Sequence, residues 1–107
     1  RSLMTEMNDF LTAAGQQTPS LQVVGHFNLS LRSTGAPFVG TVTVQRSWNN
    51  TDWFDVDTFT SDVETYGYDP EEVYYRAVSK AGEWTSGTVA VRLGDNRDYT
   101  SRTVFLA

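Results

Sequence analysis

The chain of 107 residues contains no cysteine and a single histidine, His26. Without cysteine it can form no disulfide bond, no thiolate metal site and no cysteine nucleophile. Most triad chemistry would have to pass through His26, which we predict on the polar side of a strand. Neither an orienting partner nor a nucleophile lies near it in sequence. We therefore predict a protein that is not an enzyme, with no catalytic residue, no cofactor and no metal site.

Basic residues and long apolar runs are also scarce. Eight Lys and Arg against 13 Asp and Glu give a formal net charge of −5. Phosphate binding requires clustered Lys and Arg, so the sequence predicts no nucleic-acid partner. No apolar run approaches the length of a membrane span, so we predict no membrane partner either. An acidic surface suits solubility and a basic partner.

Several short stretches alternate between apolar and polar residues, as half-buried strands do. The clearest are Phe27–Leu31, Val73–Ala77 and Val89–Leu93, and Asn49–Asp52 reads as a turn between two further strands. Helical patterns between these stretches are missing. We predict an all-β fold, an antiparallel β-sandwich or small jelly-roll-like barrel of seven or eight strands. Residues 61–70 read as a loop with a short edge strand, and residues 103–107 as a last strand.

The N-terminal segment carries the only helical period. Leu3, Met7, Phe10 and Leu11 fall on one face at spacings of three to four residues, which predicts a helix over residues 2–14. The predicted organisation is an amphipathic helix or arm with its linker over residues 1–20, and a β-sandwich domain over residues 21–107. Two interpretations apply to such a helix: its apolar face covers the chain's own core, or it ties neighbouring subunits together. In a third interpretation the segment is an ordered arm that is not helical. These four side chains are candidate partner or oligomer contacts.

Large aromatic residues lie near the predicted turns. Trp48, Trp53, Tyr66, Tyr68 and Trp84 are candidate ligand or interface residues. Rings at strand ends close a core or form an oligomer interface in many proteins, and exposed rings also stack on sugars. Both interpretations stay open.

An acidic cluster spans the same region, with Asp52, Asp55, Asp57, Asp62 and Glu64. Three interpretations apply: a solvated strand edge, a calcium site and a pair of catalytic carboxylates. The spacing does not match an EF-hand loop. We favour the solvated edge and predict Asp55 and Asp57 on one face of their strand.

Five segments between Phe27 and Gly94 carry strand and turn motifs. They are FNLSL at 27–31, FVGTVTVQRSW at 38–48, W-x-DV-x-TFT at 53–60, EEVYYRAVS at 71–79 and WTSGTVAVRLG at 84–94. In this order they resemble a family of small bacteriophage virion proteins, whose arrangement is F-x-GTV-x-LQRS, an aromatic turn, DV-x-x-(Y/F)T, YR and (Y/W)-x-SGTV-x-VRLG. These motifs are framework residues of strands and turns, and the region that they span, from Phe27 to Gly94, is roughly two thirds of the chain.

This resemblance implies a β-sandwich that assembles on a phage particle. Such families include head decoration (cement) proteins, head fibres and tail-associated modules, and their pattern contains no catalytic residue. The implied function is a capsid decoration protein on the head exterior that stabilises the shell. The implied partners are the major capsid protein or other virion proteins and further copies of the chain, with a trimer as one expected state. The alternative is a tail- or fibre-associated module that binds a carbohydrate or receptor.

Overall fold

The computed structural model describes residues 5–95, which form strands, turns and loops but no helix. The strands in this part of the chain are β1 (Thr5–Leu11), β2 (Gln16–Gln17), β3 (Leu21–Ser33), β4 (Val39–Gly40), β5 (Val42–Ser47), β6 (Phe54–Phe59), β7 (Val63–Ser79), β8 (Trp84–Ser86) and β9 (Val89–Asp95). The prediction of an all-β fold is confirmed. The strand predicted at residues 103–107 lies outside the described residues. Among residues 5–95 there is no helix that could cross a membrane.

One antiparallel sheet of seven strands organises the molecule. Its order is β1-β9-β3-β7-β5-β6, with β2 paired to β7, and a second sheet pairs β4 with β8. The long strands β3 and β7 are neighbours at the centre of the large sheet and connect the part that contains β1 and β9 with the part that contains β5 and β6. The first half of β7 pairs with β3 alone, whereas its second half also pairs with β5.

A bend in β3 brings the part of the sheet that contains β1 and β9 to face the part that contains β5 and β6. The bend lies at Gly25, which has a φ of 80° and follows a shift in the β3–β7 register. Such irregularities bend a strand and increase its twist. As a result Leu29 and Leu93 from one end line the same groove as Val44 and Val56 from the other. This arrangement is consistent with the predicted β-sandwich.

The core fills the space between the two ends of the sheet. Its buried members come from alternate positions, as predicted for β3, β7 and β9, and burial of each large apolar side chain contributes about 1.5–3 kcal/mol. They are Met7, Leu11, Leu21, Val23, Phe27, Leu29, Leu31, Phe38, Val42, Val44, Val73, Tyr75, Ala77, Val89, Val91 and Leu93.

The predicted N-terminal helix is wrong over the described residues, because this segment forms strand β1. β1 pairs with β9 along its whole length, from Thr5 opposite Asp95 to Leu11 opposite Val89. Met7 and Leu11 are buried in the core and Phe10 is exposed. Residues four apart share a face in both a helix and a strand, so this pair satisfied both periods. The edge of β9 offers backbone N–H and C=O groups with which this segment pairs as a strand. The segment therefore belongs to the sheet and not to a separate helical arm.

The loop predicted at residues 61–70 is also wrong, since β7 runs without a break from Val63 to Ser79. Gly67 and Pro70 have structural roles within the strand. Gly67 pairs with Phe27, and a Cβ at this position would lie 2.7 Å from the Phe27 ring. Pro70 lies between the paired positions Asp69 and Val73, where the register with β3 shifts and no ladder N–H is required.

The turn between β5 and β6 is confirmed at Asn49–Asp52. Asn50 has a φ of 63°, the left-handed conformation that Asn adopts at low cost. The Asn49 side-chain oxygen accepts hydrogen bonds from the backbone N–H groups of Thr51 and Asp52, each at 2.9 Å. This local network fixes the turn and therefore the start of β6.

Candidate functional site: an open groove and an aromatic outer face

A groove opens on one side of the sandwich, between β6 and the first half of β7. Its volume is about 200 Å³. Its walls carry Val56, Asp57, Phe59, Thr65, Tyr66, Gly67 and Tyr68, and its floor is formed by Phe27, Leu29, Val44, Tyr75 and Leu93. All five floor residues are buried core side chains. The groove therefore reaches the core from outside.

Two strand edges border this groove. In the described part of the chain no strand pairs with residues 63–68 of β7 on the side opposite β3. Within the same residues β6 has β5 as its neighbour on one side and no strand on the other. An edge of this kind presents backbone N–H and C=O groups that can pair with another chain.

A bulge in the β5–β6 ladder changes the predicted placement of the acidic residues. Val44 pairs with Asp57 and Gln45 with Asp55, so Val56 is the extra residue. Directly opposed residues share a face of the sheet. Asp57 therefore lies on the core side with Val44 and lines the groove, whereas Asp55 lies on the outer face. The prediction that the two carboxylates share a face is wrong.

Asp55 belongs to a polar network on the outer face. It accepts a hydrogen bond from Gln45 Nε2 at 2.9 Å and forms an ion pair with Lys80. The hydrogen bond from Lys80, followed by that from Gln45, lowers the pKa of Asp55. Arg76 donates from Nε to Gln45 Oε1 at 2.8 Å, and its guanidinium lies 4.2 Å from the ring centre of Trp53. Trp53 is thus half-buried against Arg76.

The other members of the acidic cluster serve local contacts. Asp62 accepts hydrogen bonds from the Ser33 hydroxyl at 2.6 Å and the Ser33 N–H at 3.0 Å, and these lower its pKa. Glu64 accepts from the Ser30 hydroxyl at 2.5 Å. Asp52 accepts from Asn49 Nδ2 at 2.9 Å. Among residues 5–95 no group of three or more His, Asp or Glu side chains could hold a metal ion.

Tyr66 and Tyr68 form an exposed aromatic row on the outer face of β7. Tyr66 is 80% exposed and Tyr68 63% exposed. His26 pairs with Tyr68 across the β3–β7 ladder, and their ring centres are 4.9 Å apart. Asn28, the partner of Tyr66, accepts a hydrogen bond from Arg92 at 3.1 Å. The row offers flat ring surface beside polar side chains.

The three tryptophans are not brought together with this row. Trp48 is exposed beside the β5–β6 turn, and Trp53 contacts Arg76. Trp84 stacks on the buried Phe38 with ring centres 5.3 Å apart, and its Nε1 donates to the Gly87 carbonyl oxygen at 3.3 Å. Trp84 therefore closes one end of the core, as one of the two sequence interpretations had it.

The candidate interface residues of the N-terminal segment also separate. Met7 and Leu11 belong to the chain's own core, which corrects their assignment as partner contacts. Phe10 is 55% exposed on the outer face of β1. Leu3 lies outside the described residues. Of the predicted contacts in this segment, Phe10 is the one whose side chain the structure exposes.

Sequence reasoning missed a charged cluster at the end of the core. Asp69 is buried and accepts hydrogen bonds from Arg46 Nε at 2.6 Å and Nη2 at 3.1 Å. It also accepts from the Tyr75 hydroxyl at 2.8 Å. The bonds from Arg46 are the main cause that lowers the pKa of Asp69, and burial and the bond to Asp69 raise the pKa of Tyr75 to about 12. A signal existed, because Arg46 continues the inward series of Val42 and Val44.

Comparison with known proteins identified no match to this chain. No protein-family model, no curated protein and no solved structure matches the chain.

Proposed function

We propose that this chain is a bacteriophage virion structural protein, a capsid decoration protein that binds the outside of the head and stabilises the shell. Its partners are the major capsid protein and further copies of the chain. The framework motifs of the sequence support this assignment. The observation that carries it is the pair of strand edges beside an apolar groove that no strand within residues 5–95 covers, an arrangement that suits attachment to another protein.

The architecture supports such a mechanical role. A decoration protein needs a stiff domain and a surface that grips its neighbours across subunit joints. Stiffness comes from a core that β1, β3, β5, β7 and β9 share, and from the Arg46–Asp69 pair that ties β5 to β7. The groove and the exposed rings supply surface for contact with neighbours.

The test is the composition and structure of the particle. Quantitative mass spectrometry of purified virions measures the copy number of this chain relative to the major capsid protein. Electron cryomicroscopy then locates its density. We expect many copies that follow the symmetry of the head. A few copies confined to the tail tip would overturn the head assignment.

The exposed row of Tyr66 and Tyr68 favours a second candidate, a tail- or fibre-associated module that binds a carbohydrate or receptor. Sugars stack on exposed aromatic rings, and the neighbouring imidazole of His26 would offer a hydrogen-bonding group to a sugar hydroxyl. Titration with host polysaccharides would then shift the nuclear magnetic resonance signals of the Tyr66 and Tyr68 rings, and Tyr66→Ala would weaken the binding. Phe10→Ala, at an exposed ring on the same face of the sheet, is the matched control.

A further inference from the structure

We propose that the edge of β7 at residues 63–68 accepts an extended peptide strand from a partner protein. The strand carries alternating apolar side chains and a Lys or Arg that faces Asp57. This inference rests on the proposed assembly function and names the chemistry of the contact. Its occupant adds antiparallel to β7 and places its inward side chains in the groove.

The two edges of the groove differ in their fitness for pairing. β6 carries a bulge at Val56 and the inward carboxylate of Asp57, and natural sheets use both devices to block unwanted pairing. Residues 63–68 of β7 keep an unbroken register with β3 and have Glu64 as their one charged side chain, which bonds Ser30 on the outer face. β7 is therefore the edge that receives a strand, and β6 is the opposite wall.

The floor of the groove determines the apolar character of the strand. A strand added to β7 directs every second side chain towards the core. There it would meet Phe27, Leu29 and Leu93, which are buried core residues that line the groove. Val56 is 50% exposed, so the occupant would also cover apolar surface on the wall.

Asp57 determines the charge of the strand. Its carboxylate is exposed on the core-facing side of β6 and forms no ion pair within residues 5–95. An inward Lys or Arg next to it gains a partner of opposite charge. A second copy that inserted its own β6 would instead bring a further carboxylate, its own inward Asp57, towards this one. Charge complementarity thus favours a basic partner strand over another copy of this acidic edge.

The test uses the full chain and two synthetic peptides, acetyl-TVTKTVT-amide and the same peptide with Glu in place of Lys. Binding is followed by nuclear magnetic resonance shifts of the groove residues. We expect the Lys peptide to bind about three- to tenfold more tightly than the Glu peptide. Asp57→Lys should reverse this preference. An unchanged preference in that variant would overturn the charge assignment.

A matched pair of variants tests the location of binding. Val56 and Val39 are 50% and 52% exposed, but Val39 lies on β4, away from the groove. Val56→Gln should weaken both peptides several-fold, and Val39→Gln should leave both unchanged. Thermal melts of the two variants control for folding. Equal effects of the two substitutions would place the binding elsewhere and overturn the inference.

Backbone pairing has its own signature. N-methylation of alternate peptide amides should abolish binding in one register and be tolerated in the other, because alternate N–H groups of an added strand point to its neighbour. Absence of saturable binding at about 1 mM peptide would overturn the inference. So would self-association of the chain that Val56→Gln abolishes, since the occupant would then be a second copy. Neither result bears on the copy number measured in virions. The proposed function and the strand-binding inference can therefore fail independently of each other.

Discussion

Replacement of Asp69 by Asn removes the charge at the centre of the Arg46–Asp69–Tyr75 cluster. The carboxylate is buried and accepts two hydrogen bonds from Arg46 and one from Tyr75. Loss of one partner of a buried ion pair costs about 3–5 kcal/mol. The Arg46 side chain is 33% exposed, so water partly replaces the lost partner. We therefore expect a smaller loss of about 2–3 kcal/mol, which lies within the range of hydrogen bonds to charged groups, about 1.5–3 kcal/mol.

Thermal unfolding at neutral pH measures this effect. For a domain of this size the loss corresponds to a fall in Tm of about 8–12 °C. Asp55→Asn is the matched control, because Asp55 also pairs with a cation, Lys80, but its side chain is 46% exposed. The control should lose less than about 1 kcal/mol. Equal losses in the two variants would refute the structural role assigned to the buried pair.

The pH dependence gives an independent check. The pKa of Asp69 is lowered in the folded state, so the pair stabilises the protein above the pKa of an unfolded Asp, about 3.9. This contribution is lost as the pH falls through the folded pKa. The stability gap between the parent chain and Asp69→Asn should therefore narrow below about pH 4. A gap that stays constant into acid would show that the carboxylate charge is not its source.

Three further predictions concern single residues. Asn50→Gly should be tolerated, whereas Asn50→Val should cost about 1–2 kcal/mol in denaturant unfolding because a β-branched residue resists a φ of 63°; equal stability would refute the turn geometry. Gly67→Ala should cost about 1–3 kcal/mol, since its Cβ would lie 2.7 Å from the Phe27 ring, and Phe27→Leu should relieve part of that cost. The pKa of Tyr75 is raised to about 12, so stability present below pH 10 should fall as the pH rises towards 12, and Tyr75→Phe should remove that loss.

Local sequence was enough to predict much of the fold. Alternation identified the inward residues of β3, β9 and the second half of β7, because a strand turns each successive side chain to the opposite face. The turn at Asn49–Asp52 was also predictable from local sequence, since it is held by its own side chains. The exposed rings of Tyr66 and Tyr68 were identified as candidates. Met7 and Leu11 were named as candidate partner contacts but lie in the chain's own core, which was the other interpretation of their apolar face.

The candidate site depended on relations that local patterns do not contain. Arg46 and Asp69 are 23 positions apart and meet because β5 pairs with the second half of β7. A single extra residue at Val56 turned Asp57 towards the core, because a one-residue slip reverses every later side chain. The groove itself exists because β3 bends at Gly25, so that the edge of β6 and the edge of the first half of β7 lie apart from each other.

The sequence by itself determined that this protein is built of strands and which side of most strands is apolar, since both follow from a period of two along the chain. Tertiary structure decided which strands are neighbours, which edges stay open and which charges face inward. Those outcomes depend on register, bulges and bends between segments far apart in sequence. They are also the features on which the proposed attachment to a partner depends.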